Sequence, residues 1–405
     1  SKSSKSLVNH PMEKIANKKF SAPILGAAFL MATSAIGPGF LTQTATFTNT
    51  LMASFGFVIL ISILLDIGAQ LNIWRILSAS SLRAQELADT IIPGAGKLLT
   101  ILIVLGGLAF NAGNLAGAGL GLEVLTGLSP KIGALISASL AAILFFQKES
   151  IRFIDLFAKG LGAIMIMLTL YVVVVADPPY REAGLRIFWP EKIDGMAILT
   201  LVGGTVGGYI SFAGAHRLLD AGLTGPGHIK EVSRSAVTAI VLASLMRLLL
   251  FLAALGVISK GISLGTHNPA AAVFMQAAGK LGYLLFGVVM WSAAITSVIG
   301  CAYTSISFIT RPALGQENTQ KKLLLLFLLL SLSLFIVFDN PVQVLIAAGA
   351  LNGIILPLSL SLILIGATNK KLMGTYQHPK WLRGLGWAVV VATTALGIKL
   401  VNNLI

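Results

Sequence analysis

Eleven stretches of this chain are each apolar over about the twenty residues needed to cross a bilayer. They lie at roughly 21–54, 55–79, 97–124, 130–148, 152–176, 195–215, 234–258, 281–308, 321–338, 341–366 and 382–404. Only 11% of the 405 residues are charged, whereas soluble domains carry roughly 25%. The pattern predicts an all-α integral membrane protein whose partner is the lipid bilayer. The first stretch is long enough to hold two half-helices.

A net charge of +14 would suit a nucleic-acid binder, but its distribution does not. The basic residues sit in short loops between apolar stretches, which is the signature of membrane topology. With the N-terminus inside and the spans alternating, 21 Lys and Arg fall inside and 7 outside. The inside set starts with Lys2, Lys5, Lys14, Lys18 and Lys19 and includes Arg311. This bias predicts a cytoplasmic N-terminus and an external C-terminus in a bacterial plasma membrane. Residues 1–20 lack the ordered apolar core and cleavage site of a secretory signal and read as a cytoplasmic tail. The single cysteine, Cys301, excludes an intrachain disulfide and a Cys-rich metal site. It reads as a buried core residue.

Two stretches are interrupted by small and hydroxyl residues. One interruption lies in GPGFLTQTATFTNTL at 37–51, the other in LVGGTVGGYISFAGA at 201–215. Non-helical backbone at membrane depth is tolerated only against protein or a water-filled cavity. Breaks at matching places in two halves point to a transporter's central site. Spans one to five and six to ten repeat in order with opposite orientation. The expected plan is a cytoplasmic tail (1–20), a first five-helix repeat (21–176) and an extracellular loop (177–194). A second five-helix repeat (195–366) follows, then a loop with an eleventh helix (367–405). This is the five-plus-five inverted repeat of the LeuT-like fold, with helices one and six broken.

GPGFL at 37–41 and GGTV at 203–206 resemble motifs in spans one and six of the Nramp (natural resistance-associated macrophage protein) divalent-metal transporters. The departures from that family are as informative. Counted on from GPGFL, the family's Asp-Pro-Gly-Asn break falls at Thr48, Asn49, Thr50 and Leu51. Its Met-Pro-His break falls at Gly207, Gly208 and Tyr209, and its acidic pair in span three at Asn111 and Asn114. The resemblance therefore implies a branch without the metal-binding motifs. A dication needs anionic or strongly donating ligands to replace its hydration shell, and neutral hydroxyls and amides match it poorly. No metal site and no cofactor are expected. The branch also resembles Nramp-related proteins often encoded beside 5-oxoprolinase subunits in bacteria, which implies 5-oxoproline as a candidate substrate.

The residues expected to contact solute are Thr46, Thr48, Asn49 and Thr50 at the first break. Gly204, Thr205, Gly207, Gly208 and Tyr209 are expected at the second, and Asn111 and Asn114 on span three. Each has a plainer reading: hydroxyls can bond their own helix, and glycines can serve close packing. Asp66 and Arg247 are charges inside spans and form either a structural pair or a coupling and counter-ion pair. His216 lies with Arg217 and Asp220 near an inner mouth and is a candidate titrating group. Asn352, Thr296 and Ser297 could line a cavity, whereas Tyr303 and Trp291 read as packing. No HExxH, P-loop or GxSxG motif is evident, so an enzyme is not expected. The functional expectation is a secondary transporter of a small organic solute, neutral or a monocarboxylate, co-transported with H+ or Na+. The alternative is a Mn2+ or Mg2+ importer with a rebuilt ligand set.

Overall fold

Helix boundaries in this chain fall where the sequence supplies starts and stops. Pro38, Pro130, Pro269 and Pro341 occupy the first turn of their helices, where a missing N–H removes no helical bond. Asp194, Asn268, Asn340 and Asn369 cap the helices that follow them through side-chain oxygens. Gly127 ends a long helix with φ +76°, a conformation that favours glycine.

The computed structural model describes residues 37–310 and 317–402. The expected N-terminal tail, the first part of the stretch 21–54, Arg311 and the last residues of the chain lie outside them. The helices in order are α1 (Pro38–Leu51), α2 (Phe55–Ser80), α3 (Ala84–Ile91), α4 (Ala95–Thr126), α5 (Pro130–Leu144), α6 (Lys148–Ala176), α7 (Tyr180–Phe188), α8 (Gly195–Val206), α9 (Ile210–Asp220), α10 (Ile229–Ser259), α11 (Pro269–Ile309), α12 (Glu317–Phe338), α13 (Pro341–Gly366), α14 (Lys370–Met373) and α15 (Lys380–Asn402). No strand occurs among the described residues.

Among the described residues, eight helical segments are long and apolar enough to cross a membrane, or nine when the bent pair Gly160–Ala176 and Tyr180–Phe188 counts as one. The difference from eleven has a geometric origin. Residues 38–80 form one apolar helical segment by length, yet the chain turns within it. Met52 has φ +54°, a 3-10 turn covers Met52–Ser54, and the Phe47 and Phe55 rings stack at 6.1 Å. Eight residues of straight helix would separate them by about 12 Å. The helix α5 is only 15 residues long, short of a full crossing.

Helix α4 runs through the centre, packed along α11, α13 and α5. The segment Gly195–Asp220 is the most enclosed, with 94% of its apolar window buried, against 28% for Lys380–Asn402. The innermost element is thus the one whose helix is interrupted, and the outermost is an unbroken helix facing its surroundings.

Candidate functional site

The second interruption is present where the sequence placed it. α8 ends at Val206, Gly207 departs from helix with ψ 178°, and α9 begins at Ile210. The freed backbone groups are met from α13. Gly208 N donates to Asn352 O at 3.1 Å, and Tyr209 N donates to Asn352 Oδ1 at 3.1 Å. Asn352 Nδ2 in turn donates to Gly106 O at 3.0 Å and Ala348 O at 2.9 Å. Ser211 Oγ closes the end of α8 by donating to Val206 O at 2.8 Å. One asparagine therefore ties the break to both α4 and α13. Tyr209 packs against Phe110 with ring centroids 5.8 Å apart and donates its hydroxyl to Cys301 O at 3.4 Å.

The first interruption is not found at 46–50. Residues Pro38–Leu51 form one unbroken helix that starts after the extended Gly37. Within the cluster at 46–50 the hydroxyls of Thr48 and Thr50 turn back on the helix, while Thr46 Oγ1 is buried without a partner. Thr48 Oγ1 donates to Thr44 O at 2.6 Å, and Thr50 Oγ1 donates to Thr46 O at 3.3 Å. Thr46, Thr48, Asn49 and Thr50 do not line the crevice beside the second break.

What meets the second break is the N-terminal turn of α1. A narrow crevice is lined by Gly37, Gly39, Phe40, Gln43, Phe110, Asn114, Gly204 and Gly349, with Gly113, Leu345 and Ala348 completing its wall. Gln43 Nε2 donates to Leu345 O at 3.0 Å, which fixes the side chain and leaves Oε1 without a partner. Asn114 Nδ2 is also buried without a partner. An unmatched acceptor and an unmatched donor thus share one crevice in a buried region, where an unmade hydrogen bond is costly. The absence of side chains at two glycines makes the space. A Cβ at Gly349 would lie 2.6 Å from Gln43 Nε2, and one at Gly204 2.8 Å from Gln43 Oε1.

Asn111 and Asn114 share a helix face but not a destination. Asn111 Nδ2 donates to Ser331 Oγ of α12 at 3.3 Å, so it serves helix packing rather than the crevice. Thr205 Oγ1 donates to Leu201 O at 2.8 Å and accepts from Arg247 Nη1 at 3.2 Å. Gly207 and Gly208 pack closely, with a Cβ there 2.2 Å from Gly203 O and 2.3 Å from Ile355 Cγ2, respectively. His216 stands at the far end of α9. Its Nε2 accepts from Ala84 N at 3.2 Å, and its ring stacks 4.2 Å from Phe308. Beside it Arg83 and Asp220 pair at 2.7 Å. Thr296 bonds its own helix at 2.6 Å, while Trp291 and Tyr303 bond Ser137 at 3.0 Å and Phe145 O at 3.2 Å as packing residues.

Sequence reasoning passed over Gln43, Gly37, Gly39, Phe40 and Gly349. Gln43 carried a signal: it is an amide four residues after Gly39, on the same helix face, inside an apolar stretch. Gly349 carried none, because its close approach to Gln43 exists only in the folded packing.

A membrane-embedded helical protein with a broken central span, braced from a neighbouring helix and facing a buried polar crevice, has the architecture of a membrane transporter. The comparisons agree, and the chain belongs to the Nramp, or natural resistance-associated macrophage protein-like, family, which it matches over residues 28–403. It is 55% identical over 382 residues to an uncharacterized membrane protein of Haemophilus influenzae, covering 94% of this chain and 96% of that one. Its fold superposes on a manganese transporter of Eremococcus coleocola with TM-score 0.70 at 17% identity, covering 97% of this chain and 88% of that chain. It also superposes on MhsT in complex with L-phenylalanine, with TM-score 0.64 at 16% identity over 92% of this chain and 98% of that chain. The LeuT-like, all-α membrane fold expected from the breaks is thereby established, and the chain is a membrane transporter by family and fold.

Proposed function

We propose that this transporter moves a small organic solute, neutral or a monocarboxylate, across the bacterial plasma membrane by alternating access. One observation carries the reading: the crevice beside the break offers a free amide oxygen on Gln43, a free amide N–H on Asn114 and no ionisable side chain in its lining. Such a donor and acceptor pair suits the amide, carbonyl or hydroxyl groups of an organic molecule. It offers a dication neither charge nor the soft donors that would replace its water.

5-Oxoproline, which carries one lactam and one carboxylate, is the first solute to try. In this reading Gly204, Gly349 and the opened backbone at Gly207 and Gly208 let the solute approach the main chain closely. The N-terminus faces the cytoplasm, the two repeats span 21–176 and 195–366, and a co-transported H+ or Na+ supplies the driving force. Uptake of labelled 5-oxoproline into proteoliposomes, beside labelled Mn2+ in parallel vesicles, tests the substrate class. Accumulation of 5-oxoproline or a related small acid or amide, without Mn2+, is the expected result. Mn2+ accumulation that small organic solutes fail to inhibit would overturn it and favour a metal importer.

A further inference from the structure

Arg247 and Asp66 are both enclosed within the helices, at 3% and 1% exposure, and neither has its polar atoms fully matched. Nη1 of Arg247 is held by Thr205 Oγ1 at 3.2 Å. Nε and Nη2 have no partner. Those two nitrogens make one flat edge of the guanidinium, the edge that receives a carboxylate through two parallel hydrogen bonds. Asp66 Oδ1 is likewise without a partner.

Helix register explains why the two charges face each other without closing. Gln70 Nε2 donates to Ala236 O at 3.0 Å, and Phe55 meets Phe251 at 5.8 Å between centroids. Both contacts fit one antiparallel register of α2 and α10, which sets Asp66 across from Ile240 and Arg247 across from Ile59. The offset is about 10 Å along the axis. Side chains lean toward the N-terminus of their own helix, so these two lean toward one another across that gap. Each acts on the other electrostatically, and no direct ion pair joins them.

The position of Arg247 relative to the crevice supplies the remaining link. Its guanidinium lies 4.4 Å from the centroid of the Phe40 ring. Phe40 lines the crevice, as does Gly204 beside Thr205. Arg247 thus stands one side chain behind the crevice wall, with its unoccupied edge enclosed.

We infer that Arg247 receives the carboxylate of an organic-acid solute once Phe40 moves aside, and that Asp66 takes up one proton as Arg247 engages that carboxylate. This rests on the organic-solute reading above and narrows it to monocarboxylates. The charges balance. Arg247 and Asp66 sum to zero before binding, the solute brings one negative charge, and a proton on Asp66 restores neutrality. On release inside, the carboxylate leaves Arg247 and Asp66 gives up its proton on the same side. Each cycle carries one carboxylate and one proton with no net charge. Arg247 is the charged group that faces Asp66. Helices α1, α8 and α13 carry no ionisable residue within their bounds. His216, Arg217 and Asp220 of α9 lie past the level of Trp74, which bonds Ser211 O at 2.9 Å about two turns beyond Asp66. Arg181, Glu182 and Arg186 of α7 belong to the opposite end, where Ala183 and Ile187 meet Gly56. α15 passes Gly68 with Leu385 and Val389, clear of Lys380, Arg383 and Lys399.

The test uses the full-length protein, purified for thermal shifts and reconstituted for uptake. The probes are acetate, lactate and 5-oxoproline, each beside its carboxamide. Wild type should be stabilised by at least one acid and not by the matching amide. Uptake should follow an inward proton gradient and ignore membrane potential. Asp66→Asn should still bind the acid but lose the response to the proton gradient and become sensitive to potential. Arg247→Lys, which keeps charge but loses the flat edge, should weaken acid binding at least about tenfold. Asp66→Asn combined with Arg247→Met removes both charges of the pair, so it serves as the folded comparator and should lose acid binding altogether. Equal response to acid and amide, with Arg247→Lys unaffected, would overturn this assignment and leave the organic-solute reading standing. Response to Mn2+ alone, with neither acids nor amides bound, would remove both.

Discussion

The broken span at Gly207–Tyr209 and the start of α1 treat their polar groups in opposite ways. At Gly207–Tyr209 the opened backbone is bonded: Asn352 takes two of its N–H groups and Ser211 closes the end of α8. Near the start of α1, Gln43, whose Oε1 is unmatched, lines the same crevice as Asn114, whose Nδ2 is unmatched. Buried polar atoms are nearly always paired in native proteins, so those left unpaired call for an explanation. The difference separates brace from receptor. The break at 207–209 is held open by its own chain, and the start of α1 presents groups that await something else.

That distinction is most severely tested by filling the close contact that lets α8 and α13 share the brace. A Cβ on Gly203 would fall 1.9 Å from Gly349 O and 2.3 Å from Gly353 N. Both neighbours are backbone and cannot step aside. Gly203→Ala should cost more than about 3 kcal/mol and abolish a monodisperse peak on size exclusion. A well-folded Gly203→Ala protein would mean the helices can separate, and the brace would lose its basis. Next in size is Asn352→Leu. It removes the acceptor of Tyr209 N and the ties to Gly106 and Ala348. An orphaned buried N–H costs about 1–3 kcal/mol, which should appear as a melting temperature several degrees lower, with or without ligand.

Asn114→Leu should do the reverse. It removes an unmatched donor, so the unliganded protein should melt within about 0.5 kcal/mol of wild type or slightly higher. Stabilisation by the transported solute should fall at least about tenfold in affinity. A large loss of unliganded stability with solute binding intact would assign Asn114 to the scaffold instead. Gln43→Leu sharpens the same contrast, since it removes both a bond to Leu345 O and the free Oε1. It should lower both stability and affinity.

The fold was legible because apolar length and basic loops are local properties, and the Gly-Gly pair at 207–208 is a local break in helical propensity. The expected break at 46–50 is absent. A run of Thr and Asn inside an apolar stretch looks like an interruption, yet Thr48 and Thr50 bond the carbonyls of their own helix and keep it continuous. Asn111 and Asn114 show the limit of spacing arguments. Three residues apart on one face, they reach different neighbours, and only packing decides which of them turns to α12. Gly349 and Leu345 sit in a stretch with no polar cue of their own, so their part in the crevice could not be read before α13 was placed against α1.

A third polar cluster offers the smallest effect and the cleanest check on the rule that matched groups are scaffold. In the loop between α14 and α15, His378 Nε2 meets Asn72 Oδ1 at 2.7 Å and its Nδ1 meets Tyr376 Oη at 3.0 Å. Arg75 Nε donates to that same Tyr376 oxygen at 2.9 Å, and Asn72 Nδ2 reaches Leu382 O at 2.9 Å. Burial, with Arg75 and Arg383 nearby, holds the His378 imidazole down to about 4 from the usual 6.5. The folded protein therefore prefers the neutral ring. The stabilisation is complete above about pH 6.5 and is lost as pH falls from there toward 4, because the unfolded chain binds the proton first. His378 is partly exposed, so solvent screening leaves about 1 kcal/mol of that pH dependence. The melting temperature should drop by a few degrees across this window in wild type and stay flatter in His378→Gln, whose amide can keep one of the two bonds without titrating. If acid lowers both proteins equally, His378 does not latch the loop to α2, and complete pairing would cease to mark scaffold in this molecule.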